Sequence, residues 1–514
     1  MEKNVKKESD RRQIAINMIA NIISYSANMI ISFVLTPYLI NVLGKETYSF
    51  YPMANQIVSY LSVLTNSMNA MASRFVTVSL VKENGEEANR YYSSATFSNI
   101  LIGGILCIPM ALIVLFLERF MDVPINSMAA IKTLYTCVFA STLVSIITST
   151  YGIATFAKNR IDLRSFRELV AAILKLALYV VLYSVLPPSI IYVGIVSLAV
   201  VMVNTAFQIF YTKKLLPEIH ISRHYVSKKH TIEMLSSSAW NAINSFGNIL
   251  LVGTSMMLAN VLYGAEASGI YSIVQTVPQF INGVISMLVG IFYPVITYKY
   301  AQKDYKGLVR EIHNAQTLVG MCGCAVISVF SALASQFFSL WTPGEDAGYL
   351  AVLSFLTILP HFVISCVWSL TNLNVVMNKV KIPAIYTLAS GVANVTLACL
   401  GFKLFKFDLI ALPIISSVLQ LFWVGVFIPL YACRNLGVKW HTFYQVVAKA
   451  IFCSATTMIV IAYVKQFFVL NSWLRFILFG GICGICALLW FAIIMMGIKN
   501  VFAKVKEKIL YKTQ

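Results

Sequence analysis

The feature that most constrains this chain is a succession of about fourteen apolar runs, each long enough to cross the hydrocarbon core of a membrane as a helix. The runs lie at roughly 14–40, 48–73, 91–117, 129–157, 167–186, 190–211, 234–262, 268–298, 313–337, 347–377, 382–402, 409–432, 442–464 and 474–498. The chain is 59% hydrophobic and 11% charged, so it lacks the charged surface that a water-soluble protein of 514 residues needs. The sequence therefore predicts an all-α, polytopic membrane protein with about fourteen transmembrane helices.

The basic residues indicate the orientation of these helices. Thirty of the 39 Lys and Arg residues fall in the N-terminal segment, in every second loop and in the C-terminal segment. By the positive-inside rule, both termini are predicted in the cytoplasm. Topology and contact with anionic membrane lipids account for most of the net charge of +19, so no nucleic-acid partner is predicted.

A short motif shows that the chain is internally repeated. The segment 41–46, Asn-Val-Leu-Gly-Lys-Glu, recurs one residue longer at 260–266, an offset near 220. Both copies follow a helix that leaves the cytoplasm, which indicates two parallel repeats related by an axis along the membrane normal. The predicted domains are an N-lobe of spans 1 to 6 at 1–212, a cytoplasmic linker at 213–233, a C-lobe of spans 7 to 12 at 234–433, and spans 13 and 14 with a basic cytoplasmic tail at 434–514.

Polar side chains form one stripe on each of the first two helices of both lobes, with steps of four, three and four residues that keep them on one helical face. The stripes are Asn17, Asn21, Ser24 and Asn28 in span 1; Asn55, Ser59, Ser62 and Asn66 in span 2; Ser237, Asn241, Asn244 and Asn248 in span 7; and Gln275, Gln279, Asn282 and Ser286 in span 8. Amides exposed to lipid are costly, so these faces are expected to meet protein or water. Hydrogen bonding between helices is one explanation, but four symmetric stripes favour a polar substrate cavity.

Two cations near these helices are candidates for binding an anion. Arg74 ends span 2 on its polar face, and Lys175 lies about two turns into span 5. Either side chain is suited to a phosphate group. For Arg74 the alternative is contact with lipid headgroups, and for Lys175 it is pairing with a neighbouring helix.

Residue types that are missing from the spans exclude several functions. No Asp or Glu lies in the middle of a span, and only Glu168 and Glu233 lie close to span ends, which argues against a cation-coupled antiporter. No phosphate-binding loop of an ATPase and no catalytic constellation is evident. The sequence predicts a protein that is not an enzyme and that needs no cofactor or metal ion.

The segment 43–51, Leu-Gly-Lys-Glu-Thr-Tyr-Ser-Phe-Tyr, together with the fourteen spans, resembles the polysaccharide transporter family, the Wzx-type flippases of the MOP superfamily, which also has MATE-like members. Ser49 replaces the second glycine of the loose family motif, which the other lobe keeps as Gly269. The resemblance implies transport of undecaprenyl-diphosphate-linked oligosaccharide units for O-antigen, capsule or teichoic-acid assembly. It also implies alternating access between two lobes around a central cavity.

The residues fit such a substrate. Asn, Gln and Ser side chains offer donors and acceptors to sugar hydroxyls, and Arg74 and Lys175 offer charge to the diphosphate. A polysaccharide polymerase and glycosyltransferases are the protein partners that the resemblance implies. Two alternatives stay open: another exporter of the same superfamily, for lipid II or for drugs and cations, and a membrane scaffold of a glycan-assembly complex that transports nothing.

Overall fold

The computed structural model describes residues 2–123, 127–377 and 379–497. The basic tail at 498–514 and Asn378 lie outside the described residues. The regular elements of the described part are helical throughout. In the first half of the chain the helices are α1 Glu2–Leu43, α2 Lys45–Val81, α3 Gly85–Leu115, α4 Leu117–Phe120, α5 Met128–Thr148, α6 Ile153–Ala157, α7 Ile161–Val185, α8 Ile191–Leu215, α9 Lys228–Asn248 and α10 Ser255–Tyr263. In the second half they are α11 Ala265–Ala301, α12 Tyr305–Trp341, α13 Ala347–Ile358, α14 His361–Val376, α15 Lys381–Phe405, α16 Ala411–Leu421, α17 Ile428–Leu436, α18 Tyr444–Val464 and α19 Trp473–Met496.

These helices confirm the predicted class of fold. In the described part of the chain, 12 helical stretches are long and apolar enough to cross a membrane, and the bent pair Lys228–Gly253 and Ser255–Tyr263 makes a thirteenth. Helix α2 is 37 residues long but does not belong to this set. Its stripe of Asn and Ser side chains lowers its hydropathy, so the figure of fourteen spans is approximate.

The two repeats share details of backbone geometry. Gly44 and Gly264, with φ of 80° and 92°, each form a one-residue break between two helices. The left-handed region of φ favours glycine because a side chain would be strained there. The helices that follow, α2 and α11, both have 37 residues. The next helices are capped by Asn84 and Asp304, 220 residues apart, and each side chain accepts a hydrogen bond from the backbone N–H three residues on.

The chain forms two compact units. Unit 1 comprises Met1–Ile249 with Met256–Gly269, and unit 2 comprises Leu250–Ser255 with Ile270–Gln514. In unit 1, α1 packs on α7, α2 on α3 and α9, and α5 on α8. In unit 2, α12 packs on α14, α18 and α19. The lobe boundaries at 212, 233 and 433 stay a prediction.

Close packing in unit 1 depends on small residues, as is common between helices in membranes. A Cβ added to Gly194 on α8 would lie 2.9 Å from Cys137 Cβ on α5, so the two backbones approach closely here. The outward faces carry exposed apolar side chains, for example Ile105, Ile108 and Leu112 on α3. Such faces suit contact with lipid, because a helix satisfies its own backbone hydrogen bonds.

Candidate functional site

A cavity of about 410 Å³ in unit 1, called here the polar cavity, collects many of the predicted residues. Helices α2, α5, α7 and α8 and the turn after α5 supply its walls. Its lining residues are Tyr51, Asn55, Val58, Ser59, Ser62, Thr65, Asn66, Asn69, Ser141, Thr142, Ser145, Ile146, Ser149, Lys175, Ser197, Val200 and Val201. Thirteen of these seventeen residues carry a polar side chain, so the cavity suits a hydrated or hydroxyl-rich ligand.

The whole polar stripe of α2 faces this cavity. Asn55, Ser59, Ser62 and Asn66 all line it, as their spacing on one helical face predicts. Two of them also bond to their own helix: Asn55 Nδ2 donates to the carbonyl of Tyr51 at 3.1 Å, and the Ser59 hydroxyl donates to the carbonyl of Asn55 at 3.0 Å. The Asn55, Ser59 and Asn66 side chains stay exposed, so they remain accessible to a ligand.

Lys175 is the cation of the polar cavity. Helix α7 begins at Ile161, six residues before the predicted start of span 5, so Lys175 lies about 21 Å along the helix rather than two turns in. Its Nζ lies 5.7 Å from the ring centroid of Tyr51 and 5.9 Å from that of Tyr179. The ammonium group therefore lies within cation–π range of two aromatic rings, at the wall of a polar cavity.

A second cavity, of about 310 Å³, also reaches Lys175. Its lining residues are Asn21, Tyr25, Asn28, Glu168, Ala171, Ala172, Lys175, Val200 and Asn204, from α1, α7 and α8. It therefore contains part of the predicted α1 stripe and a carboxylate that the sequence places only near a span end. Since Lys175 and Val200 line both cavities, the two cavities adjoin at the middle of α7.

A hydrogen-bonded group of three polar side chains lies at the wall of the polar cavity. Asn69 Nδ2 donates to Ser149 Oγ at 2.8 Å, and Asn99 Nδ2 donates to Ser149 Oγ and to Asn69 Oδ1, both at 2.9 Å. Asn99 is fully buried. It therefore fixes the orientation of two lining residues, Asn69 on α2 and Ser149 in the turn after α5, although it does not itself line the cavity.

We expect Asn99→Ala to destabilise unit 1 by about 1–3 kcal/mol, because it removes two hydrogen bonds and leaves a gap at a fully buried position. The check is the unfolding midpoint of the purified protein in detergent. Asn66→Ala is the matched control, since it truncates an exposed cavity residue. Its free energy of unfolding should change by less than about 0.5 kcal/mol. Equal midpoints for the two variants would contradict the supporting role of Asn99.

Several predicted residues lie outside the two cavities. Asn17 is buried and joins α1 to the start of α7: its Nδ2 donates to the carbonyl of Asn159 at 2.9 Å, and its Oδ1 accepts the backbone N–H of Asp162 at 3.0 Å. Ser24 is buried, whereas Arg74 is exposed near the end of α2. The residues of the α1 stripe therefore have different roles: Asn17 holds two helices together, whereas Asn21 and Asn28 line the second cavity.

The stripes of spans 7 and 8 do not line these cavities either. On α9, Asn241 and Asn244 are half-buried and Asn248 is exposed. On α11, Gln275 is buried and donates to the carbonyl of Val252 at 3.4 Å, Gln279 is exposed and Asn282 is half-buried. Their role in a substrate cavity stays a prediction.

The cavities contain polar residues that the sequence reasoning missed. The missed residues include Asn69, Ser141, Ser145, Ser149, Ser197, Glu168 and Asn204. The signal was present for four of them: Asn69 continues the α2 stripe by three residues, and Ser141, Ser145 and Ser149 are spaced by four. Among the described residues, no three His, Cys, Asp or Glu side chains come together as a metal site.

The fold is similar to solved structures of membrane transporters. A multidrug resistance transporter of the MATE family, in an inward-facing conformation, matches with a TM-score of 0.68 and 12% identity over 83% of this chain and 97% of that chain. The lipid II flippase MurJ, in an inward closed conformation, matches with a TM-score of 0.66 and 14% identity over 93% of this chain and 98% of that chain. The fold is therefore that of the MOP-superfamily transporters.

The sequence comparisons agree with this fold. The uncharacterized membrane protein EpsK of Bacillus subtilis (strain 168) is 25% identical over 441 residues, which are 84% of this chain and 85% of that protein. The family model described as polysaccharide biosynthesis protein matches residues 14–298, more than half of the chain. The chain belongs to the polysaccharide biosynthesis protein family, so the resemblance identified from the sequence is confirmed. The described residues form the helices of a multi-pass membrane protein, and its fold is similar to those of a MATE transporter and of a lipid II flippase.

Proposed function

We propose that this protein is a flippase that moves undecaprenyl-diphosphate-linked oligosaccharide units across the bacterial cytoplasmic membrane, for the assembly of a cell-surface polysaccharide such as O-antigen, capsule or teichoic acid. The observation that carries the proposal is the polar cavity, in which hydroxyl and amide side chains surround the single cation Lys175. A glycan with an anionic anchor needs these two kinds of group side by side.

The cavity chemistry matches the two polar parts of such a substrate. Asn and Ser side chains donate and accept hydrogen bonds, as sugar hydroxyls do. The Lys175 ammonium suits a phosphate oxygen. The prenyl chain has no place among these groups, and the apolar outer faces of the helices leave it in the lipid.

The proposed mechanism is alternating access, in which the cavity opens to one side of the membrane at a time. The distribution of Lys and Arg predicts both termini in the cytoplasm. Outward movement of an anionic headgroup is favoured by an inside-negative potential, by about 2.3 kcal/mol per charge per 100 mV. The lipid II flippase that shares this fold supports a lipid-linked substrate, and glycosyltransferases and a polymerase are the proposed partners.

Reconstitution tests the proposal. The purified protein is placed in proteoliposomes with a fluorescent undecaprenyl-diphosphate oligosaccharide, and the fraction accessible to a membrane-impermeant quencher is followed under an inside-negative potential. We expect substrate to cross only in vesicles that contain the protein. A matched assay follows efflux of organic cations under a proton or sodium gradient. Cation efflux without movement of the glycolipid would instead identify a drug exporter. If the protein showed neither activity but still assembled with its glycan-synthesis partners, it would be a scaffold.

A further inference from the structure

Two guanidinium groups share one carboxylate in the first turns of α7. Glu168 Oε1 lies 2.8 Å from Arg164 Nε and 3.9 Å from Arg167 Nη2. The nearer arginine takes the carboxylate oxygen, because 2.8 Å is a hydrogen bond and 3.9 Å is not. The group of three therefore carries one positive charge that its own carboxylate does not balance.

Arg167 is the less satisfied of the two arginines. Its side chain is 12% exposed, and its Nε is buried without a hydrogen-bond partner. Asp162 lies on the same helix, but Arg160 holds its carboxylate through bonds at 2.9 and 3.0 Å, which raise the pKa of the Arg160 guanidinium. Among the described side chains, the ion pair of Arg167 is to Glu168 alone. A buried guanidinium in this state binds an anion favourably.

We propose that Arg164 and Arg167 form a docking site for a phosphate group, and that the Glu168 carboxylate occupies this site until the phosphate displaces it. The planar fork of a guanidinium matches a tetrahedral phosphate in a bidentate way, and two such forks suit a dianionic group. Glu168 is the internal competitor, since its carboxylate oxygen forms ion pairs with the same guanidinium groups and carries less charge than a phosphate.

The docking site adjoins the second cavity. Glu168 lines that cavity, and Lys175 lines it two helical turns further along α7, about 10 Å away. Asn204 also lines it, and its buried Oδ1 has no hydrogen-bond partner. A phosphate released from the arginines therefore meets Lys175 next. This role in transport rests on the proposed function, whereas phosphate binding by the arginines does not.

Binding of inorganic pyrophosphate tests the site. The affinity of the purified full-length protein is measured by the shift of its thermal midpoint with pyrophosphate concentration. We expect Arg167→Gln to weaken binding by about tenfold or more, and Glu168→Gln to strengthen it several-fold, because the competitor is removed. Arg167→Lys, which keeps the charge and loses the fork, should give an intermediate affinity. Arg119→Gln is the control, since Arg119 lies over the Phe116 ring away from this site, and its affinity should equal that of the wild type.

The same titrations in a Lys175→Gln background separate this inference from the proposed function. The effect of Glu168→Gln persists there if the arginines bind phosphate themselves, even if the protein moves no oligosaccharide. Vesicles of phosphatidylglycerol and of phosphatidylcholine are then added as competitors of pyrophosphate. Displacement by phosphatidylglycerol alone would assign the site to a lipid headgroup. If neither lipid displaces pyrophosphate, the site is assigned to the diphosphate of a substrate. A purely structural ion-pair network predicts weaker or unchanged binding for Glu168→Gln, and that result would overturn the proposal.

Discussion

A Lys175→Gln variant is expected to transport the lipid-linked oligosaccharide about 10- to 100-fold more slowly than the wild type. Lys175 is the one cation that lines the polar cavity, and it lines the second cavity as well. Hydrogen bonds to charged groups contribute about 1.5–3 kcal/mol, which corresponds to this range of rates if the diphosphate contacts Lys175 during crossing. Glutamine keeps most of the length and polarity of the side chain, so the change isolates the charge. The measurement is the initial rate in the proteoliposome assay.

Two further variants make the result specific. Lys175→Arg should restore a large part of the rate, because it keeps the positive charge at the same place. Lys449→Gln is the matched control: Lys449 lies in an apolar helix of unit 2 and lines a small pocket of about 20 Å³, not the polar cavity. We expect this control to transport at nearly the wild-type rate. If Lys175→Gln and Lys449→Gln transported equally well, the cavity charge would have no part in substrate recognition.

The helices and the α2 side of the cavity were predictable from the sequence because both depend on local periodicity. An apolar run of twenty residues has one stable form in lipid, and a polar stripe on it has a defined face. All four predicted residues of the α2 stripe, Asn55 to Asn66, line the polar cavity for this reason. The repeat was readable as well, since Gly44 and Gly264 both have the positive φ that a one-residue break between helices requires.

The partners of each stripe were not predictable, because they depend on how helices pack. Asn17 and Asn21 lie one turn apart on α1, yet Asn17 bonds to Asn159 and Asn21 lines a cavity. Sequence spacing gives the face of a helix but not the neighbour that covers it. The same limit applied to α5, whose serines at 141 and 145 show a helical spacing inside an apolar run and were not recognised as a polar face.

Charges near the ends of spans were the hardest to place. The sequence indicated both Arg74 and Lys175 as candidate anion-binding residues. In the structure Arg74 is exposed, whereas Lys175 lines both cavities. The depth of Lys175 follows from the start of α7 at Ile161, because the polar first turns of this helix have a low hydropathy and hide its true beginning. That early start also carries Glu168 into the second cavity, although its sequence position suggested only the edge of a span.

A second large effect is expected where the segments around Gly44 and Gly264 contact each other in unit 1 through hydrogen bonds and an ion pair. The hydroxyls of Ser49 and Ser268 are 2.9 Å apart, and both residues are fully buried. Lys45 Nζ lies 3.2 Å from Glu266 Oε1. Asn260 and Asp122 exchange hydrogen bonds, since the Asn260 side chain accepts the Asp122 N–H at 2.9 Å and donates to its carbonyl at 3.2 Å. These bonds close this end of the unit.

The alternating access proposed above requires these contacts to separate in each transport cycle. We therefore expect the double variant Ser49→Cys with Ser268→Cys to lose transport, by at least about tenfold, once the two cysteines are oxidised to a disulfide. The two serine hydroxyls are in contact at 2.9 Å, and a disulfide requires Cβ atoms about 3.5–4.5 Å apart, so a cross-link at these positions needs at most a small local adjustment. A reductant should restore the rate. The cross-link is verified by mass spectrometry, because the chain also contains 10 native cysteines.

The single variants Ser49→Cys and Ser268→Cys are the controls for this experiment. Each removes one side of the same hydroxyl contact but forms no cross-link between α2 and α11, so oxidation should leave its rate unchanged. The comparison therefore separates the covalent restraint from the loss of a buried hydrogen bond, which costs about 1 kcal/mol. If the fully cross-linked protein transported as fast as the protein with its disulfide reduced, substrate would leave without separation of these segments. The outward path would then lie elsewhere in unit 1, with the polar cavity reached from its side.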